Sequence, residues 1–334
     1  MTKGLIAEWE KQDGVILAFP HEDTDWSDDI EEARECVVSI AINITHYERV
    51  YLLCQDEEEA RSYFPWIQNI EYIVCRFNDT WMRDCSVLSC FNGKSIEYKG
   101  FEFTGWGGKF EATLDNRLTQ LLAHKDVYNK DCFHTVDYIL EGGAVDSDGK
   151  GTLLTTSSCL LNANRNSAHD KKSVERVLKE ELYAQQVLWL DDGHLIGDDT
   201  DGHIDTLARF CDTKTIAHVG LPPKDDEHFE GISKMIKTLE SFSDSEAKPY
   251  QLVALPFVPA IYDEKNERLP ATYANFLMIN GAVLVPTYGV DEDNQALDIF
   301  EKIFPSRNII AIDCQVLIKE HGSLHCMTMQ LPML

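Results

Sequence analysis

Apolar residues along this chain follow two alternating rhythms. Ile30, Ala33, Val37, Ile40, Ala41, Ile44 and Tyr47 recur at three- or four-residue steps, the spacing of one buried helix face. Ser27 or Asp28 stands where such a helix needs an N-cap. Val50–Cys54 is then a short apolar run of the kind that forms a buried strand, and Ile70–Cys75 is another. The helix-then-strand succession returns along the chain. Leu114, Leu118, Leu121 and Leu122 precede a weaker extended stretch that ends at Ile139. Val174, Val177, Leu178 and Leu182 precede Val187–Leu190. Phe229, Ile232, Met235, Ile236 and Leu239 precede Gln251–Leu255, and Leu297, Phe300, Ile303 and Phe304 precede Ile309–Ile312. The later units recur at roughly 60 residues, which hints at an internal repeat that their dissimilar sequences do not establish. Asn280-Gly281 divides Tyr273–Ile279 from Ala282–Pro286 and predicts a two-residue hairpin turn with positive φ angles. Pro259–Pro270 is the longest polar insertion and a candidate lid. No linker composition interrupts the pattern, so residues 1–334 read as a single α/β domain.

The distinctive polar motifs fall after these units: Asp84, Glu141, His203 with Asp205, and Cys326. Loops beyond strand ends converge in open or closed α/β arrays, so residues this far apart can share one site.

Each motif admits more than one reading. Asp201, His203 and Asp205 alternate with Gly202 and Ile204. An extended backbone would point all three side chains the same way, as a base with carboxylates or as metal ligands. Asp198–Gly202 resembles part of a calcium loop, but Gly197 and Ala208 stand where ligands are needed. Cys326 is a candidate nucleophile. Its neighbour His325 would face the opposite way if Cys326–Leu331 continues as a strand, which favours a remote histidine as partner. His321 and His325 lie four apart, a zinc spacing on a helix, but Gly322 and the strand-like run argue against a helix. The Trp81 face suits a planar cation whose edge Asp84 could bind, while a buried Trp beside a structural Arg83–Asp84 pair is the plainer alternative. Glu141-Gly142-Gly143 adds a third carboxylate on a backbone that permits close approach.

Charge narrows the partners. Lys and Arg number 30 against 57 Asp and Glu, for a net charge of −27. Nucleic acid and anionic membrane are poor partners for such a surface, whereas a small cationic substrate is drawn to it. Ten scattered cysteines contain no C-x-x-C pair, and most read as small buried hydrophobes rather than a disulfide framework. The first ten residues lack a signal-peptide pattern, and no apolar run approaches bilayer length, so a cytoplasmic protein is expected. No P-loop, G-x-G-x-x-G or G-x-S-x-G motif occurs.

With these motifs assembled, the chain resembles the agmatine deiminases of the guanidine-modifying superfamily, whose fold is a five-bladed α/β propeller. The resemblance runs from Ala7–Glu10 and Phe19–His21 through Asn78–Asp84, Trp106–Lys109 and Leu140–Gly143. It continues through Gly151–Thr156, Leu161–Asn166, Gly202–Asp205 and Tyr273–Phe276 to His325-Cys326. Bacterial peptidyl-arginine deiminases look similar at the same motifs. The resemblance implies Cys326 as nucleophile, His203 as general acid/base, Asp84 and Asp205 as the carboxylates that grip a guanidinium, and Glu141 as a supporting acid. It also implies Trp81 and Asn275 as substrate-binding residues. It implies agmatine as substrate, within putrescine and polyamine metabolism, and neither metal nor organic cofactor. Glu8, Glu10 or Asp201 are candidates for the substrate's distal amine. Action on peptidyl or free arginine, and non-catalytic metal or polyamine binding, are the alternatives; a homo-oligomer is left open. One departure stands out: where the family carries a glycine-rich run ending in Asn-Ile-His-Cys, this chain has His321-Gly-Ser-Leu-His-Cys326.

Overall fold

The computed structural model describes residues 1–334. In chain order its strands are β1 (Gly4–Leu5), β2 (Gln12–Ala18), β3 (Arg49–Cys54), β4 (Ile70–Val74), β5 (Leu88–Phe91) and β6 (Ile96–Glu102). Then come β7 (Phe133–Ile139), β8 (Val145–Ser147), β9 (Thr152–Thr156), β10 (Gln186–Leu190), β11 (Ala208–Phe210) and β12 (Thr215–Val219). The last are β13 (Gln251–Leu255), β14 (Leu277–Ile279), β15 (Ala282–Thr287), β16 (Asn308–Asp313) and β17 (Met329–Pro332).

They form five small sheets that repeat one motif. In each, an inner strand runs antiparallel to a middle strand, which runs parallel to an outer one: β5-β6-β7, β8-β9-β10, β11-β12-β13 and β14-β15-β16. β1 adds to the inner edge of the second sheet. The first sheet takes its inner strand from the other end of the chain, since β17 pairs antiparallel with β2, and β3 and β4 follow in parallel. The weak repeat in the hydrophobic pattern is therefore a real structural repeat. The chain has the pentein fold, a propeller of five blades.

Most of the apolar runs form the outer strands β4, β10, β13 and β16, and the middle strands are covered more completely. Every residue of β9 and β12 is buried, as sheet strands covered on both faces require. A parallel pair needs a crossover, and helices supply it. The helix Ile30–Thr45 buries Ala33, Val37, Ile40, Ala41 and Ile44 between β2 and β3 in sequence. Neither Ser27 nor Asp28 caps it: Asp25–Asp28 forms a 3-10 turn, and Asp29 precedes the helix without a side-chain capping bond. The helices Lys171–Glu181, Phe229–Glu240 and Glu292–Ile303 bury the centres of the other stripes: Val174 and Leu178, then Ile232, Met235 and Leu239, then Phe300. The helix Leu118–His124 leaves Leu114 outside its start.

The Asn280-Gly281 hairpin forms, but only Gly281 takes a positive φ, 76°. Asn280 instead ties the turn to β2: its Nδ2 donates to Gln12 O at 2.8 Å, and its Oδ1 accepts from Gln12 N at 3.1 Å. The strand there begins only at Leu277, so Tyr273–Phe276 is irregular. The Pro259–Pro270 loop is pinned by Arg268, which donates to Asp226 at 2.8 Å, and it lines no part of the cavity that holds Cys326.

The repeat also fixes where the motifs go. Each segment from an outer strand to the next inner strand carries one of them: Trp81–Asp84 between β4 and β5, Glu141–Gly143 between β7 and β8, and His203 with Asp205 between β10 and β11. Asn275 lies between β13 and β14, and Cys326 between β16 and β17. Five equivalent junctions thus deliver five contributions to one place.

Candidate active site

Three polar groups converge on Gly143. A methyl placed on that glycine would sit 2.6 Å from His203 Nδ1, 2.9 Å from Asp84 Oδ1 and 3.1 Å from Asp205 Oδ2. His203 is fully buried, and neither ring nitrogen has a hydrogen-bond partner. Its Nδ1 lies 3.5 Å from Asp84 Oδ1. Burial opposes a charge on the ring, but Asp84, with Cys159 and Glu141 behind it, outweighs that and lifts its pKa to about 10. Asp84 is held in place by Trp106 Nε1, which donates to Oδ2 at 2.9 Å, and by the Gly143 amide, which donates to Oδ1 at 2.9 Å. Burial raises the Asp84 carboxyl, and His203 opposes the rise.

Cys326 adds the thiol. Its Sγ lies 3.4 Å from Asn275 Oδ1 and 3.9 Å from Asp205 Oδ2. Burial, then Asp205 and Asp84, push this thiol well above its ordinary range. Asn275 Oδ1 also accepts from the amides of His325 at 2.8 Å and Cys326 at 3.3 Å, so one side chain fixes the loop that carries the thiol. Asn275 is thus an anchor of the Cys326 loop, a connection that the motif itself does not reveal.

Three expectations need correction. First, the segment from Asp201 to Asp205 is not extended: Asp201 has φ 66°, and Ile204–Thr206 is a 3-10 turn. His203 and Asp205 still meet, but Asp201 turns away to Arg165 Nη1 at 2.6 Å and Lys109 Nζ at 2.9 Å. Second, β17 starts only at Met329, so strand alternation does not govern His325. Its Nδ1 lies 2.8 Å from Asp205 Oδ2 and its Nε2 2.7 Å from Glu8 Oε2. The ring thus bridges the two carboxylates and orients Asp205 from behind. Burial raises the Asp205 carboxyl, but His325, His203 and Arg209 together hold it below its usual range. Third, Glu8 is not free for a substrate amine. It is buried, accepts from Arg209 at 2.8 Å and from the Met278 amide at 2.6 Å, and is held far below the usual carboxylate range against its burial. The zinc spacing of His321 and His325 is likewise unused, since His321 Nδ1 bonds Gly197 O at 2.7 Å. Arg83 does not pair with Asp84; its guanidinium reaches His325 O at 3.4 Å and approaches Glu8 at 3.7 Å.

Glu141 is wholly buried, and Arg165 Nε donates to both its oxygens at 2.9 and 3.0 Å. Glu141, Cys159 and His203 bring a carboxylate oxygen, a thiol and an imidazole nitrogen within 4.8 Å of one another. Among these, Arg165 and Cys159 were not singled out by sequence reasoning, although Arg165 sits inside the Leu161–Asn166 motif. Trp106 escaped as well: its left-handed φ of 54° aims the indole at Asp84, which spacing does not disclose.

A cavity opens onto this cluster. Trp81, Asp84, Trp106, Thr200 and Cys326 are its buried lining, while Asp25 and Phe110 are exposed at its mouth. Asp199, Glu320, His321 and Gly322 complete the wall, half-buried. Trp81 keeps its Nε1 on Asp79 Oδ2 at 3.0 Å and turns its ring edge against Gly322, where any Cβ would collide with it at 2.2 Å. Glu10 is not part of this lining.

The family model for Porphyromonas-type peptidyl-arginine deiminases matches residues 4–332. The chain belongs to this family. A Legionella pneumophila (strain Paris) protein carrying the provisional name agmatine deiminase is 32% identical over 334 residues, which cover 98% of this chain and 95% of the relative. The solved structure of C. jejuni agmatine deiminase with substrate bound is 36% identical, covers 99% of this chain and 96% of its own, and superposes with a TM-score of 0.93. Agmatine deiminase of Enterococcus faecalis is 25% identical with a TM-score of 0.91, covering 99% and 96% of the two chains. The chain is an enzyme of the guanidine-modifying hydrolases. No helix is long and apolar enough to cross a membrane.

Proposed function

We propose that the protein deiminates agmatine, releasing ammonia and N-carbamoylputrescine, and works in the cytoplasm as a single catalytic domain. The observation that supports this most directly is the convergence of His203, Asp84 and Asp205 on one spot beside the buried Cys326 thiol. A guanidinium is a poor electrophile, being charged and resonance-stabilised. Two carboxylates can take its N–H groups in fork geometry and turn the central carbon toward sulfur. Burying that cation without partners would cost several kcal/mol.

In this reading Asp84 and Asp205 hold the guanidinium, and Trp81 packs beside it. The cation offsets the negative field of Asp84 and Asp205, which lets Cys326 release its proton to solvent as the substrate enters. The thiolate attacks the guanidinium carbon. His203, protonated at neutral pH, gives its proton to one amino group, and ammonia leaves from the tetrahedral adduct. A cationic amidino-cysteine remains. His203, now neutral, takes a proton from water as the water's oxygen adds to the carbon. Collapse expels the Cys326 thiolate, and the urea product sheds a proton to ammonia. Glu141 supports the charge on His203 from behind. Every step uses side chains of this chain alone.

Agmatine is favoured over free arginine because the cavity wall contains no Lys or Arg to meet an α-carboxylate. The relatives' names point the same way. Ammonia release from agmatine, arginine and an arginine peptide, run side by side, tests the assignment. No turnover of agmatine at high enzyme concentration would sink it. Mass spectrometry of enzyme quenched during turnover should show the amidino adduct on Cys326 and none in Cys326→Ser.

A further inference from the structure

Four acidic residues line the cavity, and they differ in how they are engaged. Asp84, at the buried end, accepts one hydrogen bond on each oxygen and keeps lone pairs for a further donor. Asp199 lies 3.8 Å from His321 Nε2. Glu320 and Asp25, by contrast, have no protein partner for their carboxylates, although Glu320 is half-buried. Behind the lining, Asp205 Oδ1 is buried and also lacks any partner, and the other oxygen of that carboxylate lies 3.9 Å from Cys326, which does line the cavity.

Local backbone fixes Glu320 where it stands. It closes the 3-10 turn Leu317–Glu320, and His321 follows in the left-handed region at φ 63°. His321 Nδ1 is tied to Gly197 O at 2.7 Å, and Gly322 is pressed against the Trp81 ring. A left-handed histidine is uncommon, and here it turns the chain so that Glu320 and the Cys326 loop share one cavity wall. Burial and the neighbouring Asp25, Asp29 and Asp28 raise the Glu320 carboxyl, while His321 opposes the rise. Like charges crowded at a cavity mouth are relieved by a cation placed among them.

We propose that Glu320, assisted by Asp25, binds the distal ammonium of the substrate and so selects guanidines that carry a second positive charge. The inference rests on the deiminase reading of the same cavity. It assigns the tail contact to a residue of the His321–Leu324 region's N-terminal flank, where this chain departs from a glycine-rich run, and it replaces Glu8 and Asp201, which are spent elsewhere. Half-buried and facing a narrow cavity, the Glu320 contact is a charge-assisted bond with partial screening.

The test compares agmatine with n-butylguanidine, which has the same four-carbon chain and no amine. For the unaltered chain and for Glu320→Gln and Asp25→Asn, kcat/KM is measured on both. Glu320→Gln should lower the agmatine-to-butylguanidine ratio about tenfold, with the change in KM, and Asp25→Asn by a smaller factor. An unchanged ratio overturns the assignment, and so does an equal loss on both substrates. Calorimetric affinity of Cys326→Ser for the two guanidines, with and without Glu320→Gln, reads the same contact without turnover. Absence of turnover in the unaltered chain would therefore count against deimination, while equal affinities for both ligands would count against Glu320.

Discussion

Replacing Gly143 by alanine adds one methyl at the point where the candidate site is tightest. The methyl would stand 2.6 Å from His203 Nδ1, 2.9 Å from Asp84 Oδ1 and 3.1 Å from Asp205 Oδ2. Ordinary contacts to carbon run at about 3.5–4 Å, so the nearest group must retreat by roughly 1 Å. Gly143 has no positive φ, so the backbone itself accepts a side chain and the penalty lies in the site. Its amide also donates to Asp84 at 2.9 Å, so a backbone shift that spares His203 would release Asp84 instead. A displacement of about 1 Å in a catalytic constellation costs on the order of a hundredfold in rate, or about 2.7 kcal/mol of barrier. Overpacking should also cost roughly 1–3 kcal/mol of stability, enough to lower the melting temperature without unfolding the protein at 25 °C. Ammonia-release kinetics and thermal melts, run together, separate the two effects. Gly231→Ala is the control: it lies within the helix Phe229–Glu240, and its methyl meets nothing closer than 3.9 Å. That change should raise stability by about 0.5–1 kcal/mol through helix propensity and leave kcat/KM unaltered. If Gly143→Ala keeps kcat/KM within threefold of the parent, His203, Asp84 and Asp205 do not need the close convergence described here.

Arg165→Ala should cost about 3–5 kcal/mol in chemical denaturation, because it strands the wholly buried Glu141 carboxylate; Arg165→Lys should recover only part, losing the fork on both oxygens. Stability should fall as pH rises from 6.5 toward 10: His203 is raised to about 10, so the folded state binds the extra proton across that window, and the stabilisation, complete below the unfolded value, is lost through the folded one. Melting curves of His203→Asn against the parent check this, since the variant should show a flatter alkaline decline. Asn275→Asp preserves the acceptor that holds the His325 and Cys326 amides but adds a third negative charge near the thiol. Its kcat/KM should drop about tenfold or more, with the limb for thiol ionisation moved to higher pH; a pH profile identical to the parent's would contradict the electrostatic role given to the substrate cation.

Periodicity alone reached the crossover helices and mainly the outer strands, and passed over most of the middle and inner ones. The 3.6-residue stripe at Ile30–Ile44 and the apolar run at Val50–Cys54 appear where local burial dictates them, because a covered strand and a one-sided helix each leave a direct trace in side-chain type. The repeat was faint in sequence, since a blade needs only apolar residues of about the right size, and many sequences satisfy that. Residue type and position likewise made Cys326, His203, Asp84, Asp205 and Glu141 candidates, and the resemblance to guanidine-modifying enzymes gave each its expected role.

What tertiary structure decided was direction. Strand alternation sent His325 away from the site, yet the turn before β17 lays its ring between Asp205 and Glu8. Extension placed Asp201 beside His203, yet a left-handed φ gives it to Arg165. Glu8 and Asp201 looked available for a substrate amine until their partners, some 200 and 36 residues away along the chain, came into view. Glu320, which the motifs pass over, faces the cavity only because His321 turns the chain. Composition and spacing state which groups are present, whereas long-range partners and irregular backbone determine which of them remain free to meet a substrate.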